Sequence, residues 1–144
     1  MKTIGIAADH AGFAYKEEIK KHLLSQGYEV TDFGSFSPES IDYPDVAHLL
    51  GTAVEQGGVT WGIALCGSGN GINMTLNKHQ GVRSALCWTP EIAKWARLHN
   101  DANICALPAR FIDLEVALAV VDTFLSTSFE SGGRHQRRVS KIPC

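Results

Sequence analysis

The chain has 144 residues, of which 44% are hydrophobic and 19% charged, with a formal net charge of −2. Those proportions fit one globular domain with its own core and exclude a disordered or fibrous chain. A charge this close to zero gives no general attraction to DNA, RNA or an anionic membrane, so a phosphate must be met by a local cluster of cations.

Taken in order, residues 3–8 (Thr-Ile-Gly-Ile-Ala-Ala) read as a short buried strand. Residues 12–26 read as a helix, with Phe13, Ile19, Leu23 and Leu24 inward, Lys16, Glu17, Lys20 and Lys21 outward, and Gly27 as its stop. A second strand covers Glu29–Phe33, and a loop rich in Gly, Ser and Pro runs from Gly34 to Tyr43. Pro44 suits the first turn of a helix reaching about Gln56. A third strand over 59–66 runs into the turn Gly67-Ser68-Gly69-Asn70-Gly71, and a short helix follows. Val82–Cys87 is a fourth strand, Pro90–His99 a helix, Asn103–Leu107 a fifth strand, and 113–126 an apolar helix. The tail 132–144 opens basic, with part of Gly132–Val139 helical. No run approaches the roughly 18 apolar residues of a membrane span. The start carries no signal-peptide pattern, which predicts a cytoplasmic protein.

Alternating strands and helices predict a Rossmann-like α/β sandwich over 1–144, with a five-stranded parallel sheet covered on both faces. The expected strand order is 2-1-3-4-5, which puts the topological switch point between strands 1 and 3. Ligands of open α/β sheets bind beyond the carboxyl ends of strands at that point. Asp9-His10 follows strand 1, and the glycine turn follows strand 3. The two most reactive-looking segments therefore converge where this topology binds ligands.

The glycines of that turn let backbone N–H groups point inward, and the helix start behind them adds partial positive charge. Such a cradle suits a phosphate or a developing oxyanion; the plainer alternative is a tight turn without a ligand. Ile72 stands where a dinucleotide fingerprint needs Gly and where a phosphatase loop needs Arg, and no P-loop is present. Cys66 ends a strand against a helix N-terminus, a setting that favours thiolate and so a nucleophile or general base. Cys87 and Cys105 read as small buried hydrophobes and Cys144 as a terminal thiol. The cysteines lack zinc or redox spacing, so free thiols are expected. His99 is an acid/base candidate, with a favourable seat at a helix C-terminus as the alternative. Asp9 is either a site residue or a cap for the first helix. His22, His48 and His79 read as surface residues without polar company. Arg134, Arg137 and Arg138 are guanidinium forks suited to phosphate, or simply a solvated end.

The segments Asp9-His10-Ala11-Gly12-Phe13, Asp42-Tyr43-Pro44, Cys66-Gly67-Ser68-Gly69-Asn70-Gly71, Asn77-Lys78, His99-Asn100-Asp101-Ala102-Asn103 and Gly132-Gly133-Arg134-His135 span the chain in order. Together they resemble the ribose-5-phosphate isomerase type B family, which includes allose- and galactose-6-phosphate isomerases. The resemblance implies aldose–ketose isomerisation through a cis-enediolate, with no metal and no cofactor. It also implies a homodimer with active sites at the subunit interface, a tetramer being the alternative. Carried over by residue, Cys66 moves the proton between C1 and C2, the amides of Gly67, Gly69, Asn70 and Gly71 hold the enediolate oxygen, and Ser68 assists proton exchange. His99 opens the furanose ring with help from Asp9. His10, Arg134 and Arg138 bind the phosphate, joined by Arg110; Asn100 holds a sugar hydroxyl and Tyr43 lines the pocket. Ser68 replaces a Thr found in some members but keeps the hydroxyl. Another branch uses a glutamate where this chain has Ile72, which leaves Cys66 as the base. The alternatives are a six-carbon sugar phosphate as substrate, a non-catalytic phosphometabolite-binding module, and one subunit of a hetero-oligomeric isomerase. The module needs neither Cys66 nor His99, and a partial subunit would lack some of the cysteine, histidine and arginines present here.

Overall fold

The computed structural model describes residues 2–144. Its elements are β1 (Thr3–Ala8), α1 (Phe13–Ser25), β2 (Glu29–Asp32), α2 (Tyr43–Glu55), β3 (Trp61–Cys66), α3 (Asn70–Leu76), β4 (Ser84–Leu86), α4 (Pro90–Asn100), β5 (Ile104–Pro108), α5 (Leu114–Ser126) and α6 (Arg134–Val139). The five strands are all parallel. Side chains alternate across the sheet, so each strand feeds two cores. Ile4, Ile6, Ile63, Leu65 and Leu107 pack with Ile19 and Leu23 of α1, Ala93 of α4, and Val120 and Phe124 of α5. Ala7, Ala64, Cys66 and Ala106 face the other way, against Val46 and Leu50 of α2 and Ile72 and Leu76 of α3. That is the expected three-layer α/β sandwich.

The order of the last two strands differs from expectation: the sheet runs β2-β1-β3-β5-β4 rather than 2-1-3-4-5. Burial explains the exchange. All five residues of β5 (Ile-Cys-Ala-Leu-Pro) are buried, which suits a strand paired on both sides. Strand β4 has only three residues, all partly exposed, and takes the edge. Gly62 permits the β3–β5 pairing, since a Cβ there would come within 2.9 Å of Ile104 Cγ1. The switch point is unaffected, because β1 still has β2 on one side and β3 on the other.

Helix α1 departs from the expected inner face. Leu24 is exposed, whereas Lys16 is fully buried. Its ammonium donates to Asp32 Oδ2 at 2.6 Å and to Glu17 Oε1 at 3.0 Å, and Lys20 reaches the same Asp32 oxygen at 3.1 Å. A long aliphatic stem lets lysine cross the apolar layer provided its charge finds a partner. That partner lies on β2, which the sequence pattern did not connect to α1. The three histidines expected to lack polar company also have it. His22 Nε2 lies 2.7 Å from Asp122 Oδ1. His48 Nδ1 shares a 2.7 Å hydrogen bond with His79 Nε2, and His79 Nδ1 lies 2.6 Å from Glu55. Each pair joins residues at least 24 positions apart, so helical periodicity carried no sign of them.

Candidate active site

Strand β3 delivers Cys66 to the carboxyl edge of the sheet, where only 5% of its surface is exposed. The chain then turns through Gly67–Gly69 into α3. Gly69 adopts φ +77°, and a Cβ there would fall 2.4 Å from Leu86 Cδ1 and 3.1 Å from the Leu107 carbonyl carbon. Glycine is therefore required both by the backbone conformation and by the close approach of β5. The first amides of α3 lack intrahelical acceptors. Of these, the Asn70 N–H donates to Ser68 Oγ at 3.3 Å.

Two neighbouring strand ends wrap this turn. The Ala109 N–H donates to the Cys66 carbonyl and the Arg110 N–H to the Gly67 carbonyl, each at 3.0 Å. The Arg110 side chain runs alongside Gly67, with Cδ and Nη1 each 3.4 Å from where a Cβ would stand; Ala11 Cβ is 3.7 Å from that point. The Asp9 N–H donates to the Leu65 carbonyl at 3.2 Å, which ties the end of β1 to the residue before Cys66. Asp9 is itself buried, and its Oδ1 accepts from the N–H groups of Ala11 and Gly12 at 3.0 and 3.3 Å. Those bonds close the turn that leads into α1 and do not cap the helix, whose N-cap is Gly12 with no side-chain cap. His10 is half-buried, and its Nδ1 accepts from the Ile41 N–H at 3.3 Å. Nδ1 as acceptor puts the neutral ring's proton on Nε2, which makes Nε2–H the available donor. Tyr43, the first residue of α2, lies over Gly71, where a Cβ would be 2.4 Å from the ring's Cζ. Asp9, His10, Tyr43, Cys66, the turn 67–71 and Arg110 are thus gathered at one edge of the sheet.

The remaining expected residues are elsewhere. His99 and Asn100 close α4, which hands the chain to the opening residue of β5, Ile104. Cys66 pairs with Pro108, the last residue of β5. The four strand steps between Ile104 and Pro108 span about 13 Å, so within one chain His99 and Cys66 sit at opposite edges. Arg134 and Arg138 lie on α6, exposed, beside the His99 end of α4; the Glu130 N–H donates to the Leu98 carbonyl at 3.0 Å and anchors the linker there. The His99 ring stacks on His135 at 3.8 Å between centroids and 9° between planes, and lies 4.7 Å from Trp95. Partial desolvation, then the charges of His99, Arg134 and Arg138, hold the His135 imidazolium below its ordinary range, with Glu130 opposing. His135 carried no assigned role in the sequence, because nothing in its spacing linked it to a ring 36 positions away. Arg137 is exposed like its two neighbours.

A parallel α/β sheet with a buried thiol and a glycine turn at its switch point is the arrangement in which open α/β proteins bind small ligands, beyond the carboxyl ends of the strands. The chain matches the model of the Ribose/Galactose Isomerase family over residues 4–142 and belongs to that family. It is 44% identical over 142 residues to ribose-5-phosphate isomerase B of Escherichia coli K12, covering 99% of this chain and 95% of that one. A ribose 5-phosphate isomerase structure from Thermotoga maritima superposes with a TM-score of 0.95 at 49% identity, covering 98% of this chain and 97% of that chain. A Mycoplasma genitalium ribose-5-phosphate isomerase B solved with bound ribulose-5-phosphate gives a TM-score of 0.94 at 40% identity, covering 97% and 93%. Among the described residues no helix is long and apolar enough to cross a membrane.

Proposed function

We infer that this chain is an isomerase that interconverts ribose 5-phosphate and ribulose 5-phosphate, acting in the cytoplasm as a single 1–144 domain within a homodimer. The observation that carries the reading is Cys66 at the carboxyl end of β3, opening directly into the glycine cradle beside Asp9 and Arg110. Removing a proton α to a carbonyl leaves negative charge on oxygen. A thiolate base adjoining preorganised N–H donors meets both demands, and each such donor contributes about 3–4 kcal/mol in the transition state.

In the proposed cycle His99 takes the proton from the anomeric hydroxyl as the bond from C1 to the ring oxygen breaks, and that proton passes to the departing oxygen with the help of Asp9, which frees the open-chain aldehyde. Cys66 removes the C2 proton, and the amides of Gly67, Gly69, Asn70 and Gly71 hold the enediolate oxygen. Ser68 relays the hydroxyl proton, and Cys66 returns its proton to C1. His10, Arg110, Arg134 and Arg138 hold the phosphate, Asn100 a sugar hydroxyl, and Tyr43 closes the pocket wall. Thiolate and amides supply the base and the electrophile, so the cycle calls for no metal or cofactor.

The 13 Å divide supports the homodimer, in which His99, Asn100, Arg134 and Arg138 would complete a partner's site rather than their own. Tyr43, Leu49 and Met74 on α2 and α3 offer exposed apolar surface for that contact. Turnover of ribose 5-phosphate and allose 6-phosphate is measured for wild type and Cys66→Ala. Five-carbon turnover, lost in Cys66→Ala while substrate binding persists, is the expected result. Near-normal turnover by the variant would remove Cys66 as base, and turnover of the six-carbon sugar alone would change the substrate.

A further inference from the structure

Three side chains from separate parts of the chain meet where α4 ends: His99 on α4, Glu130 on the linker after α5, and His135 on α6. Their ligand-capable atoms all lie within 4.8 Å of one another. Two imidazole nitrogens and one carboxylate oxygen are the donor set that borderline divalent transition ions favour, with water completing a tetrahedron. We propose that His99, Glu130 and His135 form a binding site for a zinc-class divalent ion, and that the ion inhibits the enzyme by occupying His99.

The Glu130 backbone is tied to Leu98 by its N–H at 3.0 Å. The His99 ring rests on Trp95 at 4.7 Å and stacks on His135 at 3.8 Å; because an imidazole lone pair lies in its ring plane, an ion bound to both rings tilts the half-exposed His135 ring out of that stack. A metal ligand must be the neutral imidazole, and the environment of His135 already disfavours its protonated form. Metal–nitrogen distances of about 2.0–2.1 Å place tetrahedral ligand atoms about 3.3 Å apart. Both histidines are half-exposed and Glu130 is exposed, so side-chain rotamer changes can turn the two ring planes toward a common point and close the remaining gap without moving backbone. A ligated His99 nitrogen has no free lone pair with which to take the anomeric proton. Ion and sugar ring-opening therefore compete for one group. The inhibitory half of the proposal rests on the ring-opening role of His99 given above; the binding half does not.

The test titrates the chelator-treated full-length protein with Zn²⁺ alone by calorimetry, and with Co²⁺ as an absorbing probe, alongside Glu130→Gln and His135→Gln. One ion per chain is expected to bind at this site. Its affinity should fall at least about tenfold in each variant, since even partners outside the ligand shell are worth that much. A Co²⁺ spectrum with nitrogen and oxygen ligands, lost in His135→Gln, supports the site; a thiolate-type spectrum, or binding unchanged in both variants, overturns it. In the turnover assay Glu130→Gln should match wild type without metal. Zn²⁺ should inhibit wild type, EDTA should reverse this, and the midpoint should move at least tenfold higher in Glu130→Gln. Equal sensitivity of the two proteins overturns the inhibitory role. A chain that binds the ion as described but turns over no sugar phosphate supports the site and refutes the isomerase reading instead.

Discussion

Asp32→Asn is the substitution whose cost can be worked most fully from the structure. Asp32 Oδ2 accepts from buried Lys16 at 2.6 Å and from Lys20 at 3.1 Å, while Oδ1 accepts from the Gly34 N–H at 2.9 Å. Gly34 in turn accepts from the Ala8 N–H at 2.7 Å, so this carboxylate fastens the start of the 34–43 loop beside Asp9. Burial is the largest single influence on the Asp32 carboxyl and opposes its charge. The hydrogen bonds from Lys16, Gly34 and Lys20, with the Lys16 charge, outweigh burial and hold the group below the ordinary carboxylate range. Asparagine keeps the shape and removes the charge. The Lys16 side chain, with 0% exposure, is then left with Glu17 as its only carboxylate partner. Breaking a buried pair costs about 3–5 kcal/mol, and the surviving Glu17 contact puts this case near the lower end. At this chain length about 3 kcal/mol lowers Tm by about 6–12 °C. The sign of the pH dependence follows from the depressed folded pKa. The stabilisation is present above the unfolded value of 3.8 and is lost as pH falls through the lower folded value. Thermal unfolding of wild type and variant between pH 7 and pH 2 should therefore show a Tm gap that is full at neutral pH and narrows below pH 4. A gap under about 2 °C at pH 7, or one that stays constant into acid, would refute the reasoning.

Gly69→Ala should lose about 2–4 kcal/mol of stability by denaturant titration, from left-handed strain and overpacking against Leu86 and Leu107. Its turnover should fall further than the stability loss explains, because the cradle amides move; unchanged kcat would detach them from the chemistry. Arg138→Ala should raise KM for the sugar phosphate by at least about tenfold while kcat changes little, as expected for loss of a charge-assisted contact to phosphate. An unchanged KM would remove Arg138 from the phosphate site.

Much of this protein was legible in its sequence because the signals are local. The order of strands and helices, the stop at Gly27, the helix opening at Pro44 and the glycine turn after Cys66 each depend on a few adjacent residues. Their alternation alone implies a parallel sheet with its switch point between β1 and β3, and so brings Asp9-His10 to the cradle. What the sequence could not decide depends on partners far along the chain. Strand order beyond β3 was settled by which apolar run could be buried on both sides, and the fully buried β5 displaced β4 to the edge. Lys16 reads as a solvated residue until the fold brings Asp32 against it, because a buried charge is tolerable only where its counter-charge arrives. The separation of His99 from Cys66 is likewise a tertiary fact. Residues expected to share one site can stand a strand's length apart, since a strand carries its two ends to opposite edges of the sheet.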